Sequence, residues 1–570
     1  MPERRAAPIP APADIGGPAG VRGPSAHLPK PPQAPSVPDA RQARPGSKAP
    51  RHVANPVASP VATPVALTEI QAPAKTQPGA PQTRLSDSEI RSIVFGLMTA
   101  MLLAALDQTI VATAMPTIGL DLGDAANLPW IVTAYLLAST AVTPLYGKLS
   151  DIHGRRIMLL IAIATFVVGS LACALAPTMV TLALARGLQG IGGGGLIALA
   201  QTILADIMAP KERARYQVVI AGVFVAASVA GPLLGGFFAQ HLHWSLIFWI
   251  NLPVGILAFA LTNANLKRLP RHDRQHRLDW PGAALMVSGS IALLLALSWG
   301  GVRYPWSSAP VLGLLALAAL LGAGFAARLA TAAEPLIPTE VLRNQVVYSA
   351  TLAACFAMGT FIGLTIYVPI FLEGVIGLSA SESGVALVPL MIGTVTGATL
   401  SGRSMIHFRH YKRVPLAMMS VSLACCAMIA WQGRALPFWL MELLFALLSM
   451  GIGTILPLST IAIQNAVARP QLGIATASMN FFRSLGGALI VAAFGTIVLG
   501  GAADGTGGHD VESLIRGADP AQLALTFRYV FAAACLGLLA AFAFLALMEE
   551  RPLGERSSPR MDGGTPDKPA

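Results

Sequence analysis

G-K-L-S-D-I-H-G-R-R, residues 147–156, is a short charged segment that lies between two strongly apolar stretches. A glycine such as Gly147 permits a close helix approach or a tight turn. If Asp151 is partly buried, it needs a nearby cation or a helix N-terminus. Arg155 and Arg156 are expected to mark the cytoplasmic face of a membrane. The segment is therefore predicted to be a loop between two membrane spans. It is either a loop with a specific role or an ordinary basic connecting loop.

The composition is typical of a membrane protein that crosses the bilayer many times. The chain has 570 residues, of which 54% are hydrophobic and only 12% are charged, whereas soluble domains are about 25% charged. Many apolar runs reach the roughly 20 residues that a membrane-spanning helix requires, and they do not alternate as barrel strands do. The sequence therefore predicts an all-α polytopic membrane protein. The net charge of +11 comes from the N-terminal tail and alternate loops, which indicates the positive-inside pattern and no nucleic-acid partner.

Fourteen apolar spans are predicted, with both termini in the cytoplasm, because Lys and Arg concentrate in every second loop. The predicted parts of the chain are a disordered Pro/Ala-rich cytoplasmic tail (1–88), a six-helix bundle (89–266), a cytoplasmic loop with two extra spans (267–345), a second six-helix bundle (346–549) and a disordered tail (550–570). The basic N-terminal tail could touch anionic lipid headgroups, and it could equally be a dispensable extension. A weak internal repeat places Gly402-Arg403 where the second bundle would carry its copy of the 147–156 loop.

Segment 147–156 resembles the loop signature G-x-L-a-D-r-x-G-r-k/r of the major facilitator superfamily of secondary transporters. Gly147, Asp151, Gly154, Arg155 and Arg156 match it, and residue 152 departs from it. The resemblance implies two six-helix bundles, and twelve spans plus two central ones resemble the fourteen-span drug:proton antiporter branch (EmrB/QacA-type multidrug efflux transporters). It also implies that this loop acts as a gate in alternating access.

Two charged residues lie inside first-half spans. Asp107 begins D-Q-T-I-V-A-T-A-M-P-T-I, which resembles the first-span motif of the same antiporters, and Arg186 begins R-G-L-Q-G-I-G, which resembles their fourth-span motif. Charges at this depth are costly and normally face a cavity or a partner. Asp107 is interpreted either as the proton-coupling carboxylate or as a packing residue satisfied by groups such as Thr109. Arg186 either lines the pathway and helps to move protons, as the resemblance implies, or pins helices together.

The fifth span carries G-V-F-V-A-A-S-V-A-G-P-L-L-G-G, residues 222–236, which matches the antiporter signature G-x(8)-G-P-x-x-G-G. Small residues four apart allow two helices to approach closely, and a proline removes a donor and kinks the helix. The span is interpreted as a gate, and the resemblance associates it with export; a pure packing device would look the same. The matching residues are Gly222, Gly231, Pro232, Gly235 and Gly236.

Other segments resemble the family with fewer implications. W-S-L-I-F-W-I-N-L-P-V-G, residues 244–255, is interpreted as a family marker and an interfacial anchor. Glu373 ends the ninth span, and it either titrates as a third coupling residue or is a solvated helix end. Arg483 in the thirteenth span is either a counter-charge for Asp107 or a structural link. Asp206 and residues 211–213 are expected to form a helix end and a solvated loop.

The predicted function is proton-coupled efflux of amphipathic, often cationic, compounds across the bacterial inner membrane. The chain carries no Walker phosphate loop, metal cluster or nucleophile triad, so we expect no enzyme activity, no metal and no cofactor beyond the proton gradient. Protons, small-molecule substrates and membrane lipids are the expected partners, and by family analogy a periplasmic adaptor is a candidate. The alternatives are a dedicated exporter of one metabolite, such as a siderophore or antibiotic, and a non-transporting sensor or scaffold.

Overall fold

The computed structural model describes residues 86–124, 127–268, 278–502 and 520–553. Regular structure in these residues is helical, apart from one isolated bridge between Gly300 and Tyr304. The first half contains α1 (Asp87–Leu122), α2 (Trp130–His153), α3 (Arg155–Ala174), α4 (Met179–Ile207), α5 (Pro210–His241), the short α6 (Leu246–Trp249) and α7 (Asn251–Asn265). Two central helices follow, α8 (Trp280–Trp299) and α9 (Ala309–Thr331). The second half contains the short α10 (Thr339–Arg343), α11 (Gln345–Phe371), the short α12 (Ala380–Ala386), α13 (Val388–His407), α14 (Arg413–Gln432), α15 (Phe438–Ala466), α16 (Leu472–Ala502) and α17 (Pro520–Leu547).

The helices confirm the predicted class, an all-α protein with many membrane spans. Among the described residues, 13 helical segments are long and apolar enough to cross a membrane. Helix α2 falls outside that set, but its 24 residues would extend about 36 Å, which exceeds the hydrocarbon thickness of about 30 Å. With α2, fourteen helical segments of the described chain can span a membrane, in agreement with the fourteen predicted spans. The sixth span is divided between α6 and α7, and the tenth is divided between α12 and α13.

Local sequence signals account for several helix ends. Ser86 caps α1 and exchanges hydrogen bonds with Glu89, and Asn344 caps α11 through the backbone N–H groups of residues 346 and 347. Gly154 alone separates α2 from α3 and has a φ of 92°, a left-handed value that side chains with a Cβ rarely adopt. The predicted loop 147–156 is therefore mostly helical, and its single turn residue is glycine.

The two halves repeat one packing scheme, which gives the weak sequence repeat a structural basis. In each half the first span packs on the fifth and sixth, the fourth span packs on the second and third, and the third touches the sixth. Between the halves, α2 packs on α16 and α5 packs on α13. Since α16 and α13 are the fifth and second spans of the second half, each contact pairs a second span with a fifth. An approximate two-fold axis therefore relates the halves.

The central helices α8 and α9 form a hairpin beside this core. They pack on each other, and α8 also touches α2 and α16. Asp279, which is 5% exposed as a whole residue, accepts a hydrogen bond from Arg328 Nε at 2.9 Å and caps α8 through the N–H of Gly282. This ion pair ties the start of α8 to the end of α9.

The residues after α17 pack against the loop between α13 and α14. Glu550 accepts hydrogen bonds from the backbone N–H of Lys412 at 3.1 Å, and its carboxylate lies 3.2 Å from His410 Nδ1. The Tyr411 hydroxyl donates to the carbonyl of Arg551 at 3.0 Å. Burial raises the pKa of this hydroxyl to about 12, and the Glu550 charge adds to the rise. The predicted tail boundary at residue 550 falls in this segment, while residues 1–85 and 554–570 of the predicted tails lie outside the described residues.

Candidate functional site

Asp107 lies in the middle of α1 and is fully buried, with 0% of its surface exposed. Three side chains donate hydrogen bonds to its carboxylate. Arg186 Nη1 lies 2.6 Å from Oδ2, Gln189 Nε2 lies 2.8 Å from Oδ1, and Asn251 Nδ2 lies 3.0 Å from Oδ1. A buried carboxylate is tolerated only when it is paired and hydrogen-bonded. These donors supply that compensation.

The network around Asp107 joins five spans. Ser170 on α3 accepts hydrogen bonds from Gln189 at 2.7 Å and from Asn251 at 3.4 Å. Arg186 Nε donates to the carbonyl of Ile131 at 3.0 Å, and the guanidinium carbon lies 4.4 Å from the centre of the Tyr135 ring. Because α1, α2, α3, α4 and α7 all contribute, a change in the charge of Asp107 would affect five of the six spans of the first half.

The structure brings together two residues that the sequence indicated separately, Asp107 and Arg186. Thr109, named as an alternative partner, instead donates to the carbonyl of Ala227 on α5 at 2.9 Å. Sequence reasoning missed Gln189 as a partner, although it lies three residues after Arg186 and therefore on the same helix face. It also treated Asn251 only as part of a family marker. The available signal for Asn251 as a partner was that it is a polar residue within the sixth span, where α7 begins.

The predicted signature residues connect the halves at one end of the bundle. The Asp151 carboxylate accepts hydrogen bonds from the backbone N–H groups of Gly473 at 3.1 Å and Ile474 at 2.9 Å. These groups belong to the first turn of α16, where unpaired donors and the helix dipole favour an anion. Arg155 forms ion pairs with Asp151 and with Asp206, the second at 2.9 Å. The helix N-terminus and the cation that Asp151 was expected to need are both present.

Two other signature residues support this contact. A Cβ on Gly147 would lie 2.5 Å from Ala477 Cβ and 2.7 Å from the carbonyl oxygen of Gly473, so only glycine lets α2 and α16 approach this closely. Arg156 donates a hydrogen bond to Asn263 on α7. We call this end of the bundle, defined by residues 147–156 and the first turn of α16, the signature end.

A second polar layer lies next to the signature end. Arg213 donates to Gln464 on α15, Gln464 Nε2 donates to the carbonyl of Gln201 at 3.2 Å, and Asn480 Nδ2 donates to Gln201 Oε1 at 3.0 Å. The prediction of a solvated loop was therefore wrong for Arg213, which is only 5% exposed. Asp206 does lie at a helix end, one residue before the end of α4, and it also forms the ion pair with Arg155 at the signature end. Their partners come from distant parts of the sequence, which a local reading does not contain.

The antiporter motif of α5 divides into two sets. A Cβ on Gly231 would lie 2.0 Å from Thr109 Oγ1, and one on Gly235 would lie 2.2 Å from Thr113 Oγ1. Gly222 and Gly236 have open space at the same position, and Pro232 is exposed. Only Gly231 and Gly235 therefore allow the close packing of α5 on α1.

The second-half candidates lie apart from Asp107. Glu373 follows α11 in a π-helical turn, Leu372–Ile376, and accepts a hydrogen bond from Ser383 Oγ at 2.5 Å. Arg483 on α16 is half-buried, and within the described part of the chain it forms no hydrogen bond or ion pair. The ion pair of Asp107 is with Arg186, so in this conformation Arg483 is not its counter-charge.

Two repeated six-span halves, with an ion pair buried inside one of them, define a secondary transporter. The chain belongs to the Major Facilitator Superfamily, whose family model matches residues 97–491. Members of this family are membrane transporters and not enzymes, and this chain is accordingly a multi-pass membrane protein.

Similar proteins include multidrug transporters. Multidrug transporter protein MdtP of Bacillus subtilis (strain 168) is 35% identical over 410 residues, which cover 71% of this chain and 75% of that one. Multidrug resistance protein 3 of the same organism is 34% identical over 418 residues, covering 73% and 81%. Among solved structures, the proton:xylose symporter XylE matches with a TM-score of 0.56 and 14% identity, covering 82% of this chain and 98% of that one. This last likeness supports the fold alone.

Proposed function

We propose that this chain is a proton-coupled antiporter that exports amphipathic organic compounds. The observation that carries the proposal is the buried Asp107–Arg186 pair, in a chain that belongs to a transporter family and resembles multidrug transporters. A carboxylate that is fully shielded in one conformation changes its charge only when the bundle opens a path to it. That property couples a proton to a conformational change.

The orientation follows from charge. The signature end carries Arg155 and Arg156, and the positive-inside rule assigns such residues to the cytoplasm. The described chain ends lie on the same side, because α1 starts there and the segment after α17 packs on the α13–α14 loop. We therefore place the protein in the bacterial inner membrane with both termini cytoplasmic. The contacts of Asp151 then close the cytoplasmic side in this conformation.

The coupling step involves the charge balance of Asp107. When Asp107 is ionised, it holds Arg186 of α4 against α1. A proton on the carboxylate removes the attraction and leaves the guanidinium without its counter-charge, which favours rearrangement of α4. In the exchange cycle, the proton stabilises one conformation and the substrate stabilises the other. The substrates are amphipathic compounds, and the resemblance to drug:proton antiporters implies that many of them are cationic.

A growth experiment tests export directly. Expressed in a bacterial strain that lacks its own multidrug pumps, the chain should raise tolerance to several amphipathic antibiotics or dyes. Asp107→Asn should return tolerance to the level of the empty vector at equal membrane abundance. Asp121→Asn is the matched control, because this acid lies on the same helix but its side chain is 52% exposed. Tolerance to a single compound would indicate a dedicated exporter, and tolerance to none would contradict the proposal.

A further inference from the structure

Arg483 lies on the face of α16 whose residues contact α15 and α4. Thr476, Met479, Asn480 and Arg483 are spaced by three and four residues, so their side chains share one helix face. Thr476 accepts a hydrogen bond from Gln464 on α15, and Met479 Sδ lies 3.9 Å from Oγ1 of Thr460, which is also on α15. Asn480 donates a hydrogen bond to Gln201 in the first half. Arg483 continues this face and is itself half-buried.

The position of Arg483 along α16 puts it just past the closed end. The contacts that join α16 to the first half begin at Gly473 and Ile474 and run through Asn480. Arg483 is three residues farther from the signature end, about 4.5 Å along the helix axis. In the described part of the chain, it therefore lies just beyond the last hydrogen bonds that join the two halves.

Among the residues that the structure describes, no acidic side chain forms an ion pair with the guanidinium of Arg483. Within the described residues Asp107 pairs with Arg186, and Glu373 accepts its hydrogen bond from Ser383. The other acids of the second-half helices are Glu340 on α10, which accepts a hydrogen bond from Gln471, Glu382, which caps α12 through Ser379, and Glu442, near the start of α15. A half-buried cation at membrane depth is costly when it lacks a partner. A ligand that brings an anion would remove that cost.

We propose, on the basis of the proposed export function, that Arg483 binds the anionic group of a substrate. The ligand is an amphipathic molecule that carries a carboxylate, or a sulfonate or phosphate of similar geometry. Guanidinium suits such groups because its planar N–H donors match two oxygens at once. The site adds anionic compounds to a substrate range that the family resemblance describes as often cationic.

Equilibrium binding to the full-length protein in lipid nanodiscs tests the proposal. The probes are a dansyl-labelled long-chain carboxylate and its methyl ester, which keeps the apolar body and lacks the charge. The wild type should bind the carboxylate more tightly than the ester. Arg483→Gln should weaken carboxylate binding about tenfold, equivalent to about 1.4 kcal/mol, and should leave ester binding within about twofold. Arg483→Lys should restore part of the carboxylate affinity, because it keeps the charge without the fork of donors.

The controls separate the site from a folding defect and from the export proposal. Arg434→Gln removes a positive charge from an exposed residue and should leave carboxylate binding unchanged; ester binding by Arg483→Gln reports that the variant is folded. Equal binding of carboxylate and ester by the wild type, or equal loss of both in Arg483→Gln, would overturn the proposal. Carboxylate binding that depends on Arg483 in a protein that exchanges no protons would support the anion site and contradict the antiport function.

Discussion

Asp107 owes its burial to the side chains that surround it. A carboxylate with 0% exposure makes no hydrogen bonds to bulk water. Three side-chain donors replace those bonds, and one of the donors, Arg186, also carries a positive charge. Breaking a buried ion pair by removing one partner costs about 3–5 kcal/mol, whereas removing both charges is much less costly. The effects of changing Asp107 and Arg186 should therefore not add up.

The first prediction concerns this non-additivity. Arg186→Ala should lower thermal stability and membrane abundance strongly, because it leaves Asp107 charged without a counter-ion. The double variant Asp107→Asn, Arg186→Ala should recover a large part of that loss, since neither charge then remains. Thermal unfolding in detergent measures both, with Arg434→Ala as the exposed control. A double variant that is no more stable than Arg186→Ala would show that the pair does not carry the energy assigned to it.

The sequence indicated the two charged residues of the site but not how they meet. An acid and a base within apolar spans are visible in any single chain because each is costly there. Their pairing joins residues 79 positions apart, and Asn251 reaches the same carboxylate from 144 positions away. Contacts of this kind depend on how the spans pack, which local patterns do not specify. For Arg483, the sequence left two roles open, a counter-charge for Asp107 or a structural link, and in the structure Asp107 pairs with Arg186 instead.

At the scale of the element, α5 shows how one motif combines two kinds of glycine. Gly231 and Gly235 face α1, where an added Cβ would overlap Thr109 or Thr113. Gly222 and Gly236 face open space. The sequence alone does not distinguish these four glycines, but they are expected to differ sharply in their tolerance of substitution.

The second prediction compares neighbouring residues of that motif. Gly235→Ala should separate α5 from α1 and reduce transport severely, because the new methyl group would lie 2.2 Å from Thr113 Oγ1 and 2.4 Å from the carbonyl of Ile110. Gly236→Ala should retain transport and gain slight stability, since alanine favours a helix over glycine by about 1 kcal/mol. Drug tolerance and unfolding temperature provide the readouts. Equal damage by both substitutions would contradict this division of the motif.

The elements themselves were largely predictable. Long apolar runs specify membrane helices by length alone, so each of the fourteen predicted spans corresponds to one helix or to a helix divided in two. Helix α2 is the least apolar of the spans by the hydropathy criterion, and the loop signature that follows it helped to place it. The breaks between α6 and α7 and between α12 and α13 were not predicted, because apolar runs continue across them.

At the scale of the whole molecule, the repeat determines where the halves meet. The second span of each half packs on the fifth span of the other, and hydrogen bonds between the halves concentrate at the signature end. A motion that opens this end must release Asp151 from α16 and Gln201 from Asn480 together. The two-fold arrangement implies that contacts between the halves then form at the opposite end.

The third prediction concerns topology. Reporter fusions after Pro177 and after Asp510 should report the periplasm, and fusions after Arg156 and Arg274 should report the cytoplasm. The reason is that Lys and Arg alternate between loops, and that the α3–α4 connection lies at the end opposite residues 147–156. Paired alkaline phosphatase and fluorescent protein fusions supply the measurement. A periplasmic signal at Arg274 would be incompatible with the arrangement of twelve spans plus two.

Proton release on substrate binding tests the central claim most directly. The purified protein is reconstituted into proteoliposomes that contain a pH-sensitive dye, and a transported compound is added without an imposed gradient. The wild type should release protons as the substrate binds and exchange them during transport. The Asp107→Asn variant should bind the compound but should neither release nor exchange protons, because the asparagine amide does not ionise near neutral pH. Proton exchange by Asp107→Asn at the wild-type rate would contradict the account and make Glu373 the next candidate.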